Sequence, residues 1–374
     1  MKILFACGGT AGHVNPALAL AGLLRQRHPD CEILFVGADG GMEERLVKQA
    51  GYPIETVTIT SFRRSFSPKA VAHNFGTLRN LNLAKQQSEA ILDKFQPDLA
   101  MGTGGYASYS IIHTAARRGI PTLIHESNAI PGLTTKQLSK VADKVLVGFA
   151  ASRSHYDKNV TVIPTGTPVR GEFFALDRSE ARRRIGAQPN QPVLLSYFGS
   201  LGAEVMNRRM TDFLLAEKRN GAPWRHVHGT GRNDEAVRSA LAAQQLDLDD
   251  YPALTLHEYI YDMPLYMAAA DVVICRAGAS TISELTALGK PAILIPSPNV
   301  TANHQEKNAC ILADAGAAIL LTEDEADSKT LYDTAARLLN DEARRREMTA
   351  ALLSLQTETP AETIYQIIRN MIKL

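Results

Sequence analysis

Between Cys7 and Ala17 the chain reads CGGTAGHVNPA, a stretch whose residue types suit both an anion and a proton. The apolar run from Lys2 to Ala6 precedes it. From Pro16 onward, Ala17, Leu20, Ala21 and Leu24 keep the spacing of an amphipathic helix. Proline suits a first helical turn, so the helix is predicted to begin at Pro16. Glycines at a strand-to-helix junction let main chain approach a ligand, and the helix start offers unpaired N–H groups and a positive dipole end. His13 adds an imidazole, which can move a proton near neutral pH, and a passive phosphate cradle does not need that. A tight turn with His13 bonded locally is the competing reading of this stretch.

Two further glycine loops, GTGGYAS at 102–108 and FGSLGAE at 198–204, also follow apolar strands and precede helices. None of the three is a clean G-x-G-x-x-G, and the second strand ends in GADGG, which disfavours a nicotinamide enzyme. In RAGASTISELTALGKP, residues 276–291, Gly278 leaves a strand, Ser280, Thr281 and Ser283 occupy a helix start, and Glu284 lies one turn inside. Small hydroxyls and free N–H groups suit a diphosphate, and a carboxylate accepts from vicinal ribose hydroxyls. Taken alone, the same residues also make an ordinary helix cap. Asp247 and Asp249 have the spacing of a metal-binding D-x-D pair. They fall between a helix and the next strand, at the strand's amino end, so they read as a solvated loop and no metal is expected.

The elements that must position these residues alternate strand and helix. KILFAC, CEILFVG, IETVTI, DLAMGT, PTLIHE, KVLVGF and VTVIPTG are apolar runs separated, through the first five, by helical patterns. This predicts a parallel sheet covered on both faces. The charged, Gly- and Pro-bearing stretch 165–191 breaks the rhythm and marks a junction. A second alternation follows, from PVLLSYFGS to AAILLTE, ending in terminal helices. The expected fold is therefore α/β, two doubly wound Rossmann-like domains facing across a cleft: residues 1–168, and residues 169–374 with the last helix crossing back to the first domain.

Composition narrows the classes. The 374 residues are 45% hydrophobic and 21% charged, ordinary for a soluble globular chain. Forty Lys and Arg against 39 Asp and Glu leave no overall excess of charge, which disfavours nucleic acid as a partner. Cys7, Cys31, Cys275 and Cys310 are far apart without ligand spacing and read as buried free thiols of a reducing cytoplasm. The first residues lack the pattern of a secretory leader, and no run reaches the roughly 18–20 apolar residues that span a bilayer. Membrane contact, where present, is expected to be peripheral.

The segments GGTAGH, GTGGYAS, HESNAIPGLTTK, GTPVR, GSLGA, EYIYDM, RAGASTISE and NHQEKNA, in this order and across essentially the whole chain, resemble the MurG family, the peptidoglycan N-acetylglucosaminyltransferases of the GT-B fold. The resemblance implies inverting transfer of N-acetylglucosamine from UDP-N-acetylglucosamine to the muramyl 4-hydroxyl of lipid I, giving lipid II at the cytoplasmic face of the cell membrane. It implies that Thr10, Ala11 and Gly12 line the donor sugar, that His13 faces the acceptor hydroxyl, and that Asn128 contacts the N-acetylglucosamine. Arg170 and Ser200 are then expected to hold the donor phosphates. Ile260 would meet uracil through its backbone, while Ala279, Ser280, Thr281, Ile282, Ser283 and Glu284 cradle phosphate and ribose. His304 and Gln305 would bind sugar hydroxyls. The chain departs from the family pattern at Leu201, Thr167 and Tyr109, where Gln, Asn and Gly are usual; Leu201 removes a polar contact near the donor.

The family reaction needs a base for the hydroxyl and stabilisation of the departing diphosphate. His13 is the candidate base, with Glu126 as alternative base or orienting group. Arg170, Ser200 and the helix N-termini would meet the developing charge, so no cofactor is required. Residues 62–94 mix Phe62, Phe66, Val71, Phe75, Leu78 and Leu81 with Arg63, Arg64, Lys69, Arg79 and Lys85, an apolar strip with cations suited to an anionic membrane surface. Core packing with a solvated basic face is the other reading. Rival functions are another UDP-sugar GT-B enzyme (a lipid glycosyltransferase or a UDP-N-acetylglucosamine 2-epimerase) and a non-catalytic nucleotide-sugar-binding protein.

Overall fold

The structure, a computed structural model, describes residues 1–59, 68–199, 202–300, 303–356 and 359–373, the side chains of 68–81 excepted. It divides into two compact units, Met1–Arg170 with Thr357–Leu374, and Gly171–Gln356.

In the first unit, β1 (Lys2–Ala6), β2 (Glu32–Ala38), β3 (Ile54–Val57), β4 (Leu99–Gly102), β5 (Thr122–Glu126), β6 (Lys144–Val147) and β7 (Val162–Pro164) form one sheet, ordered β3-β2-β1-β4-β5-β6-β7. Each strand pair is parallel, and β1 runs in register with β2 so that Phe5 lies opposite Phe35. The uniform apolarity of β1 follows from its place in the middle. Ile3 and Phe5 enter one core with Leu24, Phe35, Ile364 and Ile368, whereas Leu4 and Ala6 enter the core on the other face with Val36 and Ile111.

The first helix runs Ala11–Arg27, five residues earlier than the proline suggested, with Pro16 inside it. The turn is nucleated ahead of the proline, because the amides of His13 and Val14 both bond the Thr10 carbonyl. Pro16 has no N–H to close on the Gly12 carbonyl. The final helix, Pro360–Ile372, packs on this first helix through buried Ile364 and Ile368, with His28 Nε2 2.8 Å from the Tyr365 hydroxyl. Burying each isoleucine stabilises by about 1.5–3 kcal/mol.

In the second unit, β8 (Val193–Tyr197), β9 (Arg225–Gly229), β10 (Leu254–His257), β11 (Val272–Cys275), β12 (Ala292–Leu294) and β13 (Ala318–Leu320) form a parallel sheet ordered β10-β9-β8-β11-β12-β13. Its core carries a buried polar chain that ends at His228, whose Nε2 has no partner among the described residues. Buried Glu217 accepts from Trp224 Nε1 and lies 2.9 Å from His226 Nδ1; Ser196 Oγ sits 2.7 Å from both His226 Nε2 and His228 Nδ1.

The stretch expected to be a junction is partly folded. The boundary between units falls at Arg170, but Arg178–Arg184 is a helix, capped by Asp177 accepting from the Glu180 amide at 2.9 Å. Buried Arg182 bonds Asp271 at 3.0 Å and the carbonyls of Gln188 and Gln191, which ties the segment to the second unit. All four cysteines are free. Cys7 and Cys275 are buried as expected, while Cys31 and Cys310 are only half-buried.

Candidate active site

In the first sheet the strand order reverses between β1 and β4, and in such sheets the crevice beyond the carboxyl ends at that point is where ligands bind. The loops that leave these two strands are the first two glycine stretches. They are laced together: the Gly8 amide donates to Gly104 O at 3.2 Å, Thr103 Oγ1 to His13 O at 2.7 Å, and Ser108 Oγ to Ala6 O at 2.6 Å. Gly104 and Gly105 have φ of 115° and 85°, and a Cβ on Gly105 would overlap the Gly8 main chain. No other residue type allows this approach.

His13 lies in the first turn of its helix with Nδ1 2.7 Å from the Gly8 carbonyl oxygen. A carbonyl only accepts, so Nδ1 carries the ring proton and Nε2 keeps its lone pair. That is the tautomer a general base needs. Thr10, the N-cap, is exposed, and Ala11, Gly12 and His13 are half-buried, leaving the turn accessible to a ligand.

Glu126 ends β5 and is 5% exposed. Oε1 accepts from the Asn128 amide at 3.1 Å and its side-chain Nδ2 at 3.0 Å, and Oε2 from the Gly132 amide at 3.0 Å and Thr135 Oγ1 at 2.7 Å. A carboxylate so surrounded organises the loop that carries Asn128. Its neighbour His125 is buried with Nε2 3.0 Å from Gly166 O, and burial lowers its pKa. Arg170 is half-buried. Thr167, one of the departures, is buried with its hydroxyl unpartnered among the described residues.

In the second sheet the order reverses between β8 and β11. Ser200 and Leu201, in the loop after β8, lie outside the described residues. The loop after β11 leads through Gly278 into the helix Ala279–Leu288, whose N-cap supplies no side-chain bond, so its first N–H groups are available to an anion. Ser280, Thr281 and Glu284 are half-buried there. Ile282 is in the core at 1% exposure and can offer a ligand only its main chain, and Ser283 Oγ donates back to Ala279 O at 2.8 Å. Ile260, between β10 and the next helix, packs its side chain against Gly229, which leaves its backbone as the part to present. His304 begins the helix His304–Asp314, and Gln305 Oε1 accepts from the Ser297 amide at 2.9 Å, closing the loop after β12. Asp247 and Asp249 are exposed in the turn before β10.

Comparison with known proteins decides the family. The glycosyltransferase family 28 N-terminal domain matches residues 3–147 and the family 28 C-terminal domain residues 194–365. The chain is 37% identical over 373 residues to a protein of Acetivibrio thermocellus, covering 100% of this chain and 99% of that one. It is 40% identical over 353 residues to one of Limosilactobacillus fermentum, covering 94% and 93%. Both are named UDP-N-acetylglucosamine–N-acetylmuramyl-(pentapeptide) pyrophosphoryl-undecaprenol N-acetylglucosamine transferase. The crystal structure of Acinetobacter baumannii MurG superposes with a TM-score of 0.72 at 28% identity, covering 99% of each chain. This chain belongs to the MurG family. It is an N-acetylglucosamine transferase of the GT-B fold, as its sequence led us to expect.

Against this MurG background, one residue at the site escaped sequence reasoning. Glu43, in the first turn of the helix Met42–Gln49, is completely buried beneath the His13 loop. The GADGG stretch serves this side chain: a Cβ on Gly8, Gly37 or Gly41 would fall on it. Of the segment proposed for membrane contact, residues 62–67 lie outside the described residues, as do the side chains of 68–81. Lys85 is exposed and 3.7 Å from Glu89, and no described helix is long and apolar enough to cross a membrane.

Proposed function

We propose that the chain transfers N-acetylglucosamine from UDP-N-acetylglucosamine to the muramyl 4-hydroxyl of undecaprenyl-diphospho-muramyl-pentapeptide, with inversion. The observation that carries the residue roles is the His13–Gly8 bond, which leaves Nε2 as a proton acceptor beside an open glycine turn. His13 Nε2 takes the proton of the attacking hydroxyl. Glu126 holds Asn128 toward the sugar and is not the base, since four donors already occupy its oxygens.

The second unit holds the donor: the uncapped start of Ala279–Leu288 takes the diphosphate, Glu284 the ribose, the Ile260 backbone the uracil, and Gln305 with His304 the sugar. Arg170 and Ser200 meet charge on the departing phosphates. The acceptor's polyprenyl chain stays in a bilayer, so the protein works at the cytoplasmic membrane surface, where the basic and apolar residues around 62–85 would attach it.

Purified protein with labelled UDP-N-acetylglucosamine and a lipid I analogue tests this. Label moves to the acceptor, one UDP released per transfer. Conversion of the donor to its 2-epimer without acceptor, or donor binding with no turnover, would replace this reading with one of its rivals.

A further inference from the structure

Glu43 has no place in the reaction as derived so far, yet it is fully buried, and a buried carboxylate persists only where donors satisfy it. Its Oε1 accepts from the Ala38 amide at 2.8 Å and its Oε2 from the Gly9 amide at 3.1 Å. The Gly9 amide belongs to the same peptide group as the Gly8 carbonyl, and that carbonyl accepts the His13 Nδ1 proton at 2.7 Å. The peptide is trans, so its N–H and C=O point in opposite directions, one toward Glu43 and the other toward His13.

We propose that Glu43 is a positioning residue for the transfer, acting on His13 through the Gly8–Gly9 peptide. An anionic acceptor on the N–H side polarises the amide and makes the carbonyl a better acceptor, as chains of hydrogen bonds do. The stronger carbonyl holds Nδ1 protonated, keeps Nε2 as the open base, and stabilises the imidazolium formed when Nε2 takes the acceptor's proton. A single peptide thus plays the part between imidazole and carboxylate that a direct contact plays in other sites. The other elements against His13 bring Thr103 and Gly104, neither titratable. Cys7 also feels the Glu43 charge, but burial first and that charge second push its pKa far up, so it stays a thiol.

This inference rests on His13 being the base, and its test separates the two. Nitrogen-15 NMR of the imidazole in the intact protein reads the ring directly. Wild type should show the Nδ1–H tautomer; in Glu43→Gln the Nε2–H tautomer should appear, with kcat falling and UDP affinity unchanged. An unchanged ring in folded Glu43→Gln overturns the proposal, whatever happens to the rate. An Nε2–H ring in wild type overturns it without any variant, which covers the case in which Glu43→Gln does not fold. A ring that behaves as stated, in a protein whose kcat survives His13→Ala, would instead remove His13 as base and the positioning role with it.

Discussion

Gly104 lies against His13 so closely that any Cβ at this position would overlap the imidazole. The two residues come from different glycine loops, after neighbouring strands at the point where the strand order of the first sheet reverses. Gly104→Ala is strained twice, by that overlap and by a φ of 115°. It should displace the ring from Gly8 and lower kcat about tenfold or more, while UDP affinity, which our proposal assigns to the other unit, is unchanged. Equal kcat for Gly104→Ala and wild type would show that the ring position does not matter.

Glu126→Gln places an amide among donors that need an acceptor. Loss of a charged hydrogen-bond partner costs about 1.5–3 kcal/mol. The variant should therefore unfold at lower urea concentration and lose activity together, whereas His13→Ala should keep wild-type stability. Full stability of Glu126→Gln with abolished turnover would return Glu126 to the role of base.

Glu284→Ala should weaken UDP binding by about 1.5–3 kcal/mol, the worth of a hydrogen bond to a charged group. Calorimetric titration of UDP reads this directly. Unchanged affinity would remove the ribose assignment.

Stability should depend on pH through His228. Burial, and then neighbouring His226, lower its pKa to about 3 from 6.5, despite an opposing bond to Ser196. Between these values the unfolded chain binds a proton that the folded chain refuses, so stability is fully present above about pH 6.5 and declines as pH falls. The loss through this group is at most about 1.4 kcal/mol per pH unit. Urea unfolding at pH 7.5 and 5.5 should show a smaller difference in His228→Gln, which keeps a partner for Ser196. An identical difference would assign the dependence to other groups.

The fold was legible because the central strands of both sheets, β1, β8 and β11 among them, are buried on both faces and leave an apolar signal that needs no partner to be read. The helix start at Ala279 was equally plain from RAGASTISE. Reading failed where a residue's role depends on distant chain. Glu43 looks like an acid favouring a helix start, and only the folding of Gly8 and Gly37 over it makes it a buried acceptor. The bonds that Glu126 accepts from Asn128, Gly132 and Thr135 are likewise invisible in the spacing of HESNAIPGLTT. Pro16 suggested a helix start, but the Thr10 carbonyl had already begun the turn. Thr167 shows a pattern departure without a compensating partner, since its hydroxyl is buried and unbonded among the described residues.

The most direct measurement is kcat of His13→Ala for sugar transfer from UDP-N-acetylglucosamine to a lipid I analogue, taken at saturating donor beside calorimetric UDP affinity. General-base catalysis is worth ~10²- to 10⁴-fold. Our account predicts a fall in kcat of about that size, with UDP affinity unchanged because the backbone proposed to bind uridine and Glu284 belong to the other unit. A variant that keeps wild-type kcat, or that loses UDP affinity instead, would contradict it.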